Sequence, residues 1–256
     1  MLTSNELARA WAEPCMSNGI SPRDTSGVRT LEIVSEAPRY NAWMYDTIAP
    51  WLGMRILEVG AGIGNMSEHL LRGNPEHLVL TDIDPWYQDQ VRTRFRSRRE
   101  IRVESLALPD ASARERFAQD RIDTVVALNV VEHIEHDVEA VRSMAEMLTP
   151  GGRVVILVPA LQAIYGEMDR ELGHFRRYSK RSLGRVLTAA GLQVEQLMWF
   201  SRFSILGWWF NGRVRRQRFI PVRQLKLLDA LVPVLRLERF VPLPFGLSLI
   251  GVGTRA

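Results

Sequence analysis

From Arg55 onward the chain alternates short apolar runs of strand length with longer amphipathic stretches. The runs are Arg55 to Val59, Leu78 to Thr81, Ile101 to Val103, Thr124 to Leu128 and Val154 to Val158. Those at Thr124 and Val154 are apolar on both faces, as strands are when helices cover both sides of a parallel sheet. Between them Asp137 to Leu148 puts Val138, Val141, Ala145 and Leu148 on one side and stops at Thr149-Pro-Gly-Gly152, which predicts a helix. Lys180 to Ala190 predicts another helix that ends at Gly191, Leu192 to Phe200 a strand, and Leu247 to Gly253 a last strand. Upstream, Tyr40 to Leu52 spaces Trp43, Ile48, Trp51 and Leu52 as one helical stripe, interrupted at Pro50. The expected class is α/β with a doubly wound sheet.

Two regions stand outside this alternation. Residues 1–39 hold no sustained period and include Pro14, Gly19, Pro22 and Gly27, which predicts an arm or lid before a domain at 40–256. About 201–246 reads as an insertion with Trp208, Trp209, Phe210 and a Leu-rich helix from Gln224 to Leu237, a long non-sheet segment of the kind that is usually functional.

At 256 residues and 46% hydrophobic content the chain is long enough for one full core. The lone Cys15 excludes an internal disulfide, and the sequence carries no apolar run of spanning length, so a cytoplasmic location is expected. The net charge of +4 is modest, but Arg clusters at 92–99, 176–181 and 213–218. Without interleaved stacking aromatics or a recognised module, solvated helix faces account for these clusters better than nucleic acid, which is not expected as a partner.

The chemistry concentrates in three places. In Ile56-Leu-Glu-Val-Gly-Ala-Gly-Ile-Gly64 a strand runs into glycines that let the backbone pass close to a ligand. The dinucleotide pattern G-x-G-x-x-G fails, because its last position is Asn65 counted from Gly60 and Ser67 counted from Gly62. Glu58 before the glycines would repel a pyrophosphate but attracts a cationic amino-acid moiety. Asp82 in Thr81-Asp-Ile-Asp84 lies about twenty residues on, where a carboxylate accepts ribose hydroxyls; Asp84-Pro85 instead caps the next helix. Glu104 follows the third strand, where it either meets an adenine amino group or is an exposed loop carboxylate, and Leu128-Asn-Val-Val-Glu-His-Ile134 follows the fourth.

Together these three motifs resemble those of class I S-adenosylmethionine-dependent methyltransferases over roughly Tyr40 to Gly191, and Tyr165 to Ser179 resembles a bacterial small-molecule subgroup. The resemblance implies a Rossmann-like seven-stranded sheet in the order 3-2-1-4-5-7-6 with the last strand antiparallel. It implies S-adenosylmethionine as cofactor and S-adenosylhomocysteine as product. Glu58, Gly60 and Gly62 would face the methionine part, Asp82 the ribose, Glu104 or its neighbour Ser105 the adenine and Asn129 the region of the methyl group, with Tyr40 as a lid and Ile83 a further cofactor contact.

Methyl transfer asks the protein for orientation and, where the acceptor needs it, removal of one proton. His174 is the first candidate base, followed by His133, Asp169 and Tyr178. Arg176 and Arg177 are a candidate fork for an anionic group on the acceptor, against the alternative of an ion pair with Asp169 or Glu171. Trp208 and Trp209 are candidate walls for a hydrophobic or aromatic small molecule, against core packing or a peripheral membrane contact through 199–210. Oxygen is the expected methyl acceptor, with a peptide, protein or lipid-linked acceptor as the alternative. No metal is expected, because Glu132 and His133 would not share a helix face. A nicotinamide oxidoreductase and a non-catalytic binding module are the competing classes.

Overall fold

Runs apolar on both faces need covering on both sides, and the chain solves this with one sheet between two helical layers. A computed structural model describes residues 35–209, 222–241 and 243–256. Its strands are β1 (Arg55–Val59), β2 (His77–Asp82), β3 (Ile101–Ser105), β4 (Thr124–Leu128), β5 (Arg153–Pro159), β6 (Leu192–Phe200) and β7 (Ser248–Arg255). They form one seven-stranded sheet in the order β3-β2-β1-β4-β5-β7-β6. The first five pair in parallel, and β7 runs antiparallel between β5 and β6, as expected for this class.

The helices are α1 (Pro38–Ile48), α2 (Asn65–Leu70), α3 (Pro85–Arg94), α4 (Ala113–Arg116), α5 (Asp137–Met147), α6 (Glu167–Glu171), α7 (Lys180–Ala189), α8 (Ser204–Trp209) and α9 (Val222–Leu235). Proline begins both α1 and α3, where its missing N–H costs nothing. Asp84 caps α3 by accepting the Trp86 N–H at 2.8 Å.

The apolar residues divide into two clusters, one on each face of the sheet. One joins Leu57, Val125 and Ile156 to Met144 of α5 and to Leu183 and Leu187 of α7. The other joins Ile56, Leu80, Val126 and Val155 to Trp43 and Ile48 of α1 and Val91 of α3. Successive residues of β1 and β4 therefore feed opposite layers, the period of two that a strand imposes.

Residues 1–34, most of the expected arm, and 210–221 of the expected insertion lie outside the described residues. So do the side chains of Trp208 and Trp209, whose backbone forms the end of α8. The expected helix at Gln224 to Leu237 begins two residues earlier and ends in a 3-10 turn, Arg236–Phe240.

Candidate functional site

β1 delivers its backbone into Gly60, Gly62 and Gly64, all left-handed with φ of 70°, 54° and 82°. A Cβ at Gly60 would stand 2.7 Å from Cγ2 of Val130, so this turn needs glycine for both its conformation and the approach of the loop after β4. The Ala61 N–H donates to the Thr81 carbonyl at 2.9 Å, and the Gly62 N–H donates to Asp82 Oδ2 at 2.9 Å. Asp82 also accepts the Asp84 N–H at 3.0 Å on Oδ1. The end of β2 is thus strapped to the glycine loop of its neighbour β1.

Glu58 is buried beneath that loop and accepts the Ser67 hydroxyl of α2 at 2.5 Å. Burial pushes its carboxyl up to about 8, against the hydrogen bond from Ser67, and Asp82 adds to the rise. Burial also raises Asp82, outweighing the amides of Asp84 and Gly62 that favour its anion. Two carboxyls held up by burial are stabilised as anions when a cation arrives beside them. An amino acid sulfonium meets that requirement, and a pyrophosphate does not. Ile83, exposed, follows Asp82 at the same sheet edge, and Ser105, also exposed, ends the adjoining strand. Glu104 does something else: its carboxylate accepts Arg102 Nε at 3.1 Å, and Arg102 also binds Asp120, so Glu104 belongs to a surface ion network.

At the end of β4 Asn129 is exposed in a left-handed conformation, φ 55°, with its N–H given to Leu157 at 2.8 Å. A non-glycine residue held there stores strain of the kind that concentrates at functional edges. Tyr40, at the start of α1, packs its ring 5.9 Å from Trp43 and 5.6 Å from Phe200, and burial pushes its hydroxyl up to about 12.

Beyond Asn129 the chain makes a 3-10 turn, Val131–His133, where a helix was expected. This turn meets the loop after α6: the Phe175 N–H donates to the Glu132 carbonyl at 2.8 Å, and the rings of His133 and His174 meet edge to face at 4.7 Å. His174 Nδ1 lies 2.9 Å from Asp169 Oδ1, and its Nε2 lies 4.0 Å from Glu132 Oε1. Burial opposes ionisation of Asp169, but His174, Arg177 and the Gly166 amide outweigh it and hold the carboxyl below its usual range. Burial and the neighbouring His174 hold His133 down at about 4, so it is neutral. Glu132 is wholly buried with neither carboxylate oxygen hydrogen-bonded, and burial pushes it up to about 8 against the field of Arg177.

Three expectations need correction here. Arg177 is not open to an acceptor: its Nε donates to Asp169 at 2.7 Å and its Nη1 to the Ala160 carbonyl at 3.0 Å, with the side chain 1% exposed. Arg176 is likewise engaged, by Asp137 at 2.9 Å and the Glu135 carbonyl at 2.8 Å, so the two do not form a fork. Tyr178 is no base, since its buried hydroxyl donates to Asp137 at 2.8 Å and burial with that carboxylate raises it beyond its ordinary value. The reason given against a metal also fails. The 3-10 turn and His174 bring donor atoms of Glu132, His133 and His174 within 4.8 Å of one another, a set with two imidazoles and one carboxylate that could hold a divalent cation.

Sequence reasoning gave Glu132 no role and passed over Asp137. The signal for the first was its place between Val131 and Ile134, a charge inside an apolar stretch beside a histidine.

Residues 35–197 match the family model described as a methyltransferase domain. The chain therefore belongs to this family, the S-adenosylmethionine-dependent methyltransferases whose motifs it carries. GfsG, a methyltransferase of Streptomyces halstedii, is 30% identical over 154 residues, 60% of this chain and 54% of that protein. The malonyl-[acyl-carrier protein] O-methyltransferase of Haemophilus ducreyi is 34% identical over 103 residues, 40% of this chain and 39% of that protein. The chain thus spans about half the length of the curated relatives it matches, or less. Among solved structures the CurJ carbon methyltransferase shares the fold, with a TM-score of 0.61 at 14% identity over 100% of this chain and 72% of that one.

Proposed function

We propose that the chain methylates an oxygen of a small, largely hydrophobic acceptor, using the His174–Asp169 pair to take the acceptor's proton. When bound, S-adenosylmethionine supplies an electrophilic methyl group. Glu58 and the turn at Gly60 and Gly62 would hold its amino acid part, Asp82 the ribose hydroxyls, Ile83 and Ser105 the adenine side and Asn129 the region between the two halves of the site. Tyr40 would cover the amino acid end.

The observation that carries the reading is the 2.9 Å contact of His174 Nδ1 with Asp169. Asp169 fixes the tautomer and turns Nε2 away from itself, so that a neutral His174 presents a basic nitrogen. Asp169, engaged by Arg177 and Gly166 as well, acts as a positioning residue. The imidazole of His133, neutral and edge-on, adds a wall that does not compete for the proton. The anionic group once expected on the acceptor is not carried forward, because both arginines are engaged within the protein.

Methyl-labelled S-adenosylmethionine offered with panels of phenols, alcohols, amines and carbon acids tests this. Label transferred to hydroxyl acceptors, with Asp82→Ala weakening cofactor binding about 10- to 100-fold through lost charge-assisted hydrogen bonds, is the expected result. Label found on carbon or nitrogen alone would overturn the oxygen assignment.

A further inference from the structure

Helix α9 is apolar on two sides. Its inner side buries Leu225 and Val232, and Asp229 between them accepts the Tyr40 N–H of α1 at 2.8 Å. Its outer side carries Leu227, Leu231 and Val234, and the following 3-10 turn extends it with Leu237 and Phe240. These five are 60%, 44%, 61%, 52% and 68% exposed. Scattered exposed leucines are ordinary, but a run of large apolar side chains along one outward helix face marks a contact surface.

The segment's own charge is one-sided. Residues 202–241 contain nine Lys and Arg and only two acids, Asp229 and Glu238. Both acids are buried and turned inward: Asp229 serves Tyr40, and Glu238 accepts the Arg202 N–H at 2.6 Å. What the described part presents outward is therefore hydrocarbon with Arg223 and Arg239 exposed beside it, while Lys226 pairs with Glu36 at 2.9 Å and Arg236 with Asp46 at 2.6 Å. The excess exceeds the net +4 of the whole chain, so the remainder is net acidic and the positive charge is concentrated here.

We propose that this face docks on an anionic lipid surface. The outer side chains of α9 enter the boundary between headgroups and acyl chains, and the flanking cations meet the headgroup phosphates. A second copy of the chain would fit less well, since pairing this face with itself sets cations against cations. Nucleic acid would leave the apolar row uncompensated in water. No helix among the described residues is long and apolar enough to cross a membrane, so the contact is peripheral.

The docking face and the site share one piece of scaffold. Asp229 ties α9 to the first turn of α1, whose Tyr40 packs on Phe200 at the end of β6, the sheet edge to which the site strands also point. The hydrophobic acceptor would then be taken from the lipid itself, a step that rests on the function proposed above, whereas docking does not.

Sedimentation of the full chain with phosphatidylcholine vesicles, with and without phosphatidylglycerol, tests docking without cofactor or acceptor. Binding is expected with the anionic vesicles and is expected to fall with added salt. Replacing Leu227→Glu together with Val234→Glu, both at outward positions, should weaken it at least about tenfold. Far-UV circular dichroism of the variant separates loss of docking from loss of fold. No binding to anionic vesicles, or equal binding by the folded variant, overturns the proposal. A concentration-dependent dimer that the variant abolishes, in a chain that ignores vesicles, also overturns it and assigns the face to a second copy. Methyl transfer without docking, or docking without methyl transfer, tells which of the two readings has failed.

Discussion

His133 and His174 meet edge to face with their planes at 78°, although one follows β4 and the other follows α6. The Phe175 amide on the Glu132 carbonyl holds the two loops in that register. Replacing His174→Ala removes the proposed base while leaving the cofactor cradle untouched. The expected outcome is a fall in kcat of about 100- to 10,000-fold with unchanged binding of S-adenosylhomocysteine by titration calorimetry. An unchanged kcat would show that the acceptor needs no base.

Glu58 contributes a stability that falls as pH rises. A carboxyl whose native value is about 8, against an ordinary 4.5, binds its proton more tightly in the folded chain. Its contribution to stability is therefore greatest below about 4.5 and declines as the pH rises toward about 8, at up to about 1.4 kcal/mol per pH unit, while His133, held down at about 4, contributes the opposite slope below about 6.5. Glu132 contributes a slope of the same sign as Glu58. Urea unfolding from pH 5 to 8 should show a shallower decline for Glu58→Gln than for the parent. Cofactor binding should run the other way in the parent, strengthening from pH 6.5 to 8 as Glu58 ionises, the window set by its native value of about 8.

Gly60→Ala places a methyl group 2.7 Å from Val130 Cγ2 in a left-handed turn. The left-handed conformation alone costs about 1–2 kcal/mol. Cofactor affinity should drop, and Val130→Ala in the same chain should restore only part of it, because it relieves the collision and not the backbone. Full recovery in a calorimetric titration would show that the conformation is unimportant.

Arg177→Ala should act on stability first. It leaves Asp169 buried without its guanidinium, and breaking a buried pair from one side costs about 3–5 kcal/mol. A lowered Tm by differential scanning calorimetry is expected, with any loss of turnover following from a displaced His174. An unchanged Tm with a raised acceptor KM would return Arg177 to the role of a substrate clamp.

The sheet was legible because its strands are short, mostly apolar stretches bounded by turn signals: β1, β4 and β6 begin and end where the pattern places them. The turn conformation of the glycines was legible because it is local, and Asp82 meets that turn from the neighbouring strand. Of the second cluster, the ion pair of Arg177 with Asp169 was legible only as one of two alternatives. Whether Arg177 faces an acceptor or Asp169 depends on how α6 and its loop fold back on β5, and no periodicity encodes that. The same holds for Tyr178, whose partner Asp137 sits at the start of α5, on another element of the chain. Glu104 pairs with Arg102 because two residues along one strand share its face, the exposed alternative for this carboxylate.

The antiparallel strand has a consequence for the order in which the molecule is made. β6 touches the sheet only through β7, and β7 is the later of the two along the chain. Until Ser248–Arg255 leaves the ribosome, β5 is an open edge and β6, with its helix α7, has no strand to join. The half-sheet β3-β2-β1-β4-β5 can close early, whereas the other half waits for Ser248–Arg255 and presents an unpaired edge meanwhile. A nascent chain stalled before Ser248 is thus the form most exposed to aggregation, and the one a chaperone would meet.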